Sequence, residues 1–339
     1  MRALGHDAVV FEPRMDWSLE NLLQERCGEE SLQQFAATYP DLRIELYEAG
    51  SISDTDTWRE ALKDFDVVLV HEWNPPALAN TLLDLRETLG YKMLFHDTHH
   101  RASSSPEQIR LFGVDRFDGV VVFGEILRKI YRERFSMSRV WTLHEAADTS
   151  VFRPFADVSE QQDVVWVGNW GDDERSEEIR RFLLDPAAAM PERSFMIYGV
   201  RYPEEAREAL RNAGVRYGGY LANLNAPAVY ASSRLTAHVP RQQYAREMVG
   251  IPTIRVFEAL ACGVPLISAP WQDAEGLFRE GDMLFVETGE EMQRAIKRLL
   301  EQPGEAKAQA DRGMETVQAR HTCRHRAEEL TEIIEEVLR

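Results

Sequence analysis

The sequence predicts an α/β protein built from two Rossmann-like halves, and three observations carry that prediction. Short apolar runs rich in Val, Ile and Phe recur along the chain, each is followed by a longer helical pattern, and the alternation breaks once, near residues 150–160. Continuous apolar runs suit strands covered on both faces, as strands of parallel sheets are. Strands alternating with helices at this rhythm imply crossover connections and parallel pairing.

Taken in order, Met1–Gly5 reads as the last turn of a helix with its C-terminal glycine, leading straight into an apolar run at Ala8–Phe11. A doubly wound half ordinarily opens with a strand and a helix before that point. Either the domain starts here, or the first βα unit of the N-terminal half is missing, a deficit of roughly 20–35 residues. The second reading is the one expected. Strands follow at Val67–Val70, Met93–Phe95 and Gly119–Phe123, with helices at Thr57–Phe65, Ala77–Leu89 and Ile126–Phe135. Asp54-Thr55-Asp56 reads as a loop and N-cap before a helix, not as a metal-nucleotide motif. Past the break come strands at Val164–Val167, Phe195–Tyr198, Thr236–Val239 and Val264–Ile267, with a helix at Glu174–Leu184. The organisation expected is an N-terminal domain over 1–150, a C-terminal domain over 160–318, and a segment 319–339 packing back on the body. In that last segment Ala327, Leu330, Ile333, Ile334 and Val337 form one apolar stripe.

Composition narrows the classes. The chain has 339 residues, enough for two domains, and a formal net charge of −18 shared by both halves. No basic half exists to hold a nucleic-acid backbone. No apolar run approaches the about 18 residues of a spanning helix, and the first residues lack a leader's apolar stretch. Cys27, Cys262 and Cys323 are too few and too scattered for a disulfide framework or a zinc cage, so a cytoplasmic protein is expected.

In open α/β sheets ligands gather beyond the carboxyl ends of the strands. After Val67–Val70 stand His71, Glu72 and Asn74; after Met93–Phe95 stand His96, Asp97, His99 and His100. Two consecutive strands ending in titratable clusters point to a polar site more than to packing. Neither loop has the histidine spacing of a metal helix such as H-E-x-x-H, so no metal is expected. In the second half, Pro252–Ser268 holds a helix from Thr253 ending at Gly263, then a buried strand, with Phe257, Leu260 and Ala261 facing inward. Glu258 lies beside that stripe. It either complements the helix dipole or accepts hydrogen bonds from a ribose diol.

That segment resembles the nucleotide-binding signature of group 1 glycosyltransferases with the two-domain GT-B fold. It is most similar to the CgeB-like (spore maturation protein type) branch and its Arg-x-Phe-Glu-Ala-x-Ala-x-Gly pattern. Arg255, Phe257, Glu258, Ala259, Ala261 and Gly263 match position for position. Glu145–Pro154 resembles the interdomain Gly-Val-Asp-x-x-x-Phe-x-Pro, and Val165–Trp170 resembles the opening strand and glycine turn of a donor domain. The resemblance implies metal-independent sugar transfer, of hexosyltransferase type, in a cleft between two parallel sheets. No cofactor is implied beyond the nucleotide-diphosphate sugar donor, and the acceptor is open. Glu258 would hold the ribose, and Arg255, Gly168, Asn169 and Arg241 would meet the phosphates and donor sugar. Arg201 and Tyr220 would flank the base. His96, Asp97 and His99 would face the acceptor and reacting carbon, with Glu72 as a second catalytic carboxylate and His71, Asn74 and His100 on the acceptor side. Gly250 stands where many such enzymes carry a second glutamate, and the usual phosphate-binding Arg/Lys pair is not visible after Gly168, though Arg175 could substitute. Two other functions share this fold: a catalytically inactive nucleotide- or partner-binding protein, and a sugar-nucleotide epimerase.

Overall fold

The structure, a computed structural model, describes residues 1–24, 28–155 and 158–339. Cys27 and Asp157 lie outside the described residues. The chain divides into two compact units, one of Met1–Glu20, Ala36–His144 and Arg324–Arg339, the other of Asn21–Phe35 and Glu145–Cys323.

The first unit begins with a 3₁₀ turn at Arg2–Leu4 closed by Gly5, whose φ of 89° is the left-handed conformation that a C-terminal glycine supplies. Then comes β1 (Val9–Pro13); along the chain α1 (Trp17–Gln24) and α2 (Gly28–Thr38) follow, with Asn21–Phe35 belonging to the other unit, and the chain returns to the first unit for β2 (Arg43–Tyr47). Helix α3 (Thr55–Leu62) leads to β3 (Val67–His71), α4 (Pro76–Leu89) and β4 (Lys92–Asp97). Short α5 (Arg101–Ser104) and α6 (Pro106–Arg110) precede β5 (Gly119–Val122), α7 (Glu125–Arg134) and β6 (Val140–Thr142). Asp54 caps α3, accepting hydrogen bonds from the Asp56 and Thr57 amides, which bears out its reading as a cap. All pairings are parallel, in two separate sheets: β1 with β2, and β3-β4-β5-β6. Among the described residues, neither β1 nor β3 is paired on its other edge.

The second unit runs β7 (Gln162–Val167), α8 (Ser176–Ile179), α9 (Asp185–Ala189), β8 (Phe195–Tyr198), α10 (Glu204–Asn212) and β9 (Arg216–Tyr217). It continues through α11 (Ala226–Ala231), β10 (Ser233–His238), α12 (Ile254–Ala261), β11 (Leu266–Ser268) and β12 (Leu284–Phe285) to α13 (Gly289–Glu301) and α14 (Pro303–Arg320). Its six-stranded parallel sheet has the order β12-β11-β10-β7-β8-β9. One face packs Trp166, Phe182, Ile197 and Leu235, the other Val165, Val167, Phe257 and Leu260, so β7 is covered on both sides as its continuous apolar run requires. The last helix, α15 (Cys323–Leu338), lays Ile333 and Val337 against Leu94, Val121 and Leu143 of the first unit.

Candidate functional site

In the second unit the chain leaves β7 towards β8 on one side and returns to β10 on the other. The strand order therefore reverses between β7 and β10. A crevice opens at such a switch point because the two connections depart in opposite directions. Here it is a cavity of about 190 Å³, lined by Gly168 and Asn169 after β7, by His238 and Val239 at the end of β10, and by Arg175, Arg241 and Arg255.

The turn after β7 is glycine because it has no room for anything else. A Cβ on Gly168 would stand 2.7 Å from the Trp166 ring, and one on Gly199 would stand 2.0 Å from the Gly168 carbonyl oxygen. The Gly168 amide already donates to the Tyr198 carbonyl at 2.8 Å, and Asn169 Oδ1 accepts from the Val200 amide at 3.1 Å. The expected use of the Gly168 amide on a phosphate is thereby corrected, since that donor is spent on the neighbouring strand. The cationic groups of the cavity are guanidiniums instead.

Arg175, only 7% exposed, is the least expected of them. Its Nη2 donates to the Asn169 carbonyl at 2.5 Å, and its guanidinium lies 5.0 Å from the centre of the Trp166 ring. Its buried Nε has no hydrogen-bond partner, and no ion pair reaches it among the described residues. Burial, reinforced by Arg241, pushes it down to about 10, so it stays a cation at neutral pH. A buried cation without a direct ion pair is costly, and the polar cavity beside it is where an anion would relieve that cost. Arg241 is ion-paired with Glu174, which also accepts from Gln243 Nε2 at 3.1 Å.

Glu258 does not line the cavity but sits directly behind Arg255, which does. Arg255 Nη1 donates to Glu258 Oε2 at 2.5 Å and to Asn223 Oδ1 at 2.6 Å, and Asn223 Nδ2 donates to Glu258 Oε1 at 3.3 Å. Burial raises the Glu258 carboxyl, while Arg255 and Asn223 pull it back towards the ionised form. Residues Val256–Ala261 are all buried, so α12 is covered well beyond the stripe of Phe257, Leu260 and Ala261. Arg201 is exposed, in the left-handed conformation at φ 57°, and Tyr220 is half-buried beyond β9. Neither lines the cavity.

The first unit carries the other cluster. Parallel pairing sets His71 beside His96 at the ends of β3 and β4, with their rings 5.0 Å apart and nearly perpendicular. Buried Glu72 holds His71 Nδ1 at 2.5 Å and accepts from Thr98 Oγ1 at 3.4 Å, while Arg101 donates to the Glu72 carbonyl at 2.9 Å. Burial, with His71 alongside, pushes the His96 imidazole down to about 3, so it is neutral. Asp97, expected to face the acceptor, is fully buried. Its Oδ2 accepts from the Tyr131 hydroxyl at 2.6 Å and its Oδ1 from the His99 amide at 2.9 Å. Burial and then Glu72 push its carboxyl up to about 7, against those two hydrogen bonds and Arg101. Asn74 turns its amide back onto the His71 carbonyl, and His100 Nδ1 meets Ser104 Oγ at 2.8 Å. His99 lies 5.0 Å from Trp73, whose ring is 63% exposed. No cluster of His, Cys, Asp or Glu among the described residues is arranged to hold a metal ion.

Parallel sheets, crossover helices and a switch-point cavity define an α/β nucleotide-type fold, and the fold matches that of GT-B glycosyltransferase structures. Residues 175–332 match the family model described as "Glycosyl transferase-like". The chain is similar to HepE of Anabaena, solved with UDP and glucose, at 14% identity and a TM-score of 0.69, covering 97% of this chain and 100% of that one. It is similar to sucrose-phosphate synthase of Thermosynechococcus elongatus at 13% identity and a TM-score of 0.67, covering 97% and 98% of the two chains. A glycosyltransferase of Rickettsia africae gives 13% identity and a TM-score of 0.66, with 98% of each chain covered. A comparison with curated proteins gives no significant match.

Proposed function

We propose that the chain is a glycosyltransferase that takes a sugar from a nucleotide-diphosphate donor without a metal ion. The observation that carries this reading is Arg175: a buried cation without an ion pair among the described residues, lining a cavity at the sheet's switch point together with Arg241. Such a pair of guanidiniums suits a diphosphate, and as that diphosphate departs it would stabilise the growing charge that a metal stabilises elsewhere. Glu258, fixed by Arg255 and Asn223, takes the ribose hydroxyls. The ends of β3 and β4 serve the acceptor, with His99 and His71, the latter held by buried Glu72, as the polar groups within reach of solvent. The segment Pro252–Ser268 supports the CgeB-like branch, and the free, buried thiol of Cys262 suits a cytoplasmic setting.

The test is binding. UDP or GDP at a hundredfold excess over Kd should stabilise the protein by about 2.7 kcal/mol in a thermal melt. Arg175→Ala and Glu258→Ala should each weaken that ligand by about 10- to 100-fold. Melts unmoved by UDP, GDP and their sugar conjugates would overturn the donor-site reading.

A further inference from the structure

His238 is the last residue of β10, and parallel pairing sets it beside Ser268, the last residue of β11. Both are buried. His238 Nδ1 lies 2.9 Å from Ser268 Oγ, and that hydroxyl donates its own hydrogen to the Ala269 carbonyl at 2.8 Å. With the serine hydrogen committed, Oγ can only accept, so Nδ1 must carry the ring proton. Burial, and then Arg175 nearby, push the imidazole down to about 3, which keeps it neutral. A neutral ring protonated at Nδ1 leaves Nε2 as a bare acceptor. That atom is buried and has no partner among the described residues, and His238 lines the cavity.

The same cavity also contains an unused donor, Arg175 Nε, likewise buried and without a partner. Each unmade bond costs roughly 1–3 kcal/mol, so a ligand that completes both is strongly selected. Phosphate oxygens at neutral pH can complete only the donor, because their lone pairs would face the lone pair of Nε2. A hydroxyl can do both, accepting from the guanidinium and donating to the imidazole.

We infer that His238 is a specificity-determining residue whose Nε2 accepts a hydrogen bond from a hydroxyl of the sugar carried next to the phosphates on Arg175 and Arg241. This rests on the reading of the cavity as a nucleotide-sugar site. Ser268 is then a positioning residue that sets the tautomer.

Calorimetric titrations with UDP, GDP, UDP-glucose, UDP-N-acetylglucosamine and GDP-mannose test it, on wild type, His238→Phe, His238→Gln and Ser268→Ala. At least one nucleotide sugar should bind the wild type tighter than its parent diphosphate. His238→Phe should keep diphosphate affinity within about threefold and lose the sugar's advantage by about tenfold or more, the worth of one buried hydrogen bond. His238→Gln, which restores an acceptor, should recover part of it. Ser268→Ala should lose part of it with the ring still present, which decides the matter if the phenylalanine variant does not fold. A phenylalanine variant that discriminates as the wild type does, or sugars that bind the wild type no tighter than diphosphates, overturns the inference alone. Failure of all five ligands on the wild type instead overturns the reading beneath it.

Discussion

At the scale of single residues, the polar cluster of the first unit was legible because the carboxyl-end rule needs only strand positions. His71, Glu72, His96 and Asp97 follow apolar runs directly, and parallel register brings the two histidines together. Which of them face solvent was not legible, because it depends on Tyr131, a residue from α7 that takes the Asp97 carboxylate. Arg175 was readable as a candidate, but its burial was hidden for a similar reason. It follows a run of acids, which suggests a solvated ion pair, whereas the turn buries it on Trp166 and gives Glu174 to Arg241. Asp97 has a consequence for stability. Its carboxyl is raised to about 7, so between about pH 4 and 7 the folded state binds its proton more tightly than the unfolded chain does. Stability therefore falls as pH rises through that window, and the loss is complete above about pH 7. Asp97→Asn keeps an acceptor for Tyr131 without the titration. Melting curves at pH 5 and pH 8 should show a drop in the wild type, on the order of 2–4 kcal/mol, and a much smaller one in the variant. Equal drops would show that Asp97 ionises freely.

At the scale of elements, strands buried on both faces announced themselves, as β4, β5 and β7 did. β2 and β6 did not. β2 reads Arg-Ile-Glu-Leu-Tyr, with its arginine, glutamate and leucine exposed, so it carries no continuous apolar run. β6 has only three residues, too short for any period. The stripe on the last helix was readable, but a stripe does not name its partner; Leu94 and Val121 of the first unit supply it. The turns joining β7 to α8 and β8 to α10 are one construction. The Gly199 φ of 153° and the 2.0 Å approach of its missing Cβ to the Gly168 carbonyl oxygen make glycine a requirement at 199. Backbone cannot swing aside as a side-chain tip can, so Gly199→Ala should cost about 2 kcal/mol or more. Because the turns carry Asn169, which accepts from Arg175, the same change should weaken UDP binding well below the melting temperature. Gly214→Ala is the control: it too has a positive φ, 71°, but nothing lies near its Cβ. It should pay only the conformational penalty and leave binding intact.

At the scale of the whole molecule, the α/β class and GT-B architecture were legible because alternation survives every local irregularity. The split of the first unit's strands into two sheets was not, because pairing is decided by neighbours in space. Among the described residues β1 and β3 each have one hydrogen-bonded neighbour, and both strands belong to the same unit. Val10 in β1 is 39% exposed and Leu69 in β3 is 40% exposed, so apolar side chains flank these open edges. Unpaired N–H and C=O groups beside exposed Val and Leu are a template for another strand. Against this stands the net charge of −18, which keeps copies apart at long range but is screened within about 8 Å at physiological salt. Short-range strand addition should therefore win as salt and concentration rise. Light scattering of residues 1–339 should show association growing with salt at micromolar concentration. Leu69→Lys, which puts a charge on the open edge strand, should suppress it severalfold. Leu111→Lys, at a leucine 64% exposed and outside any strand, adds the same charge elsewhere and should not. Equal suppression by both lysines would mean that the edge strand has no special part in association; a scattering signal unchanged by salt would mean that the open edges are not its cause.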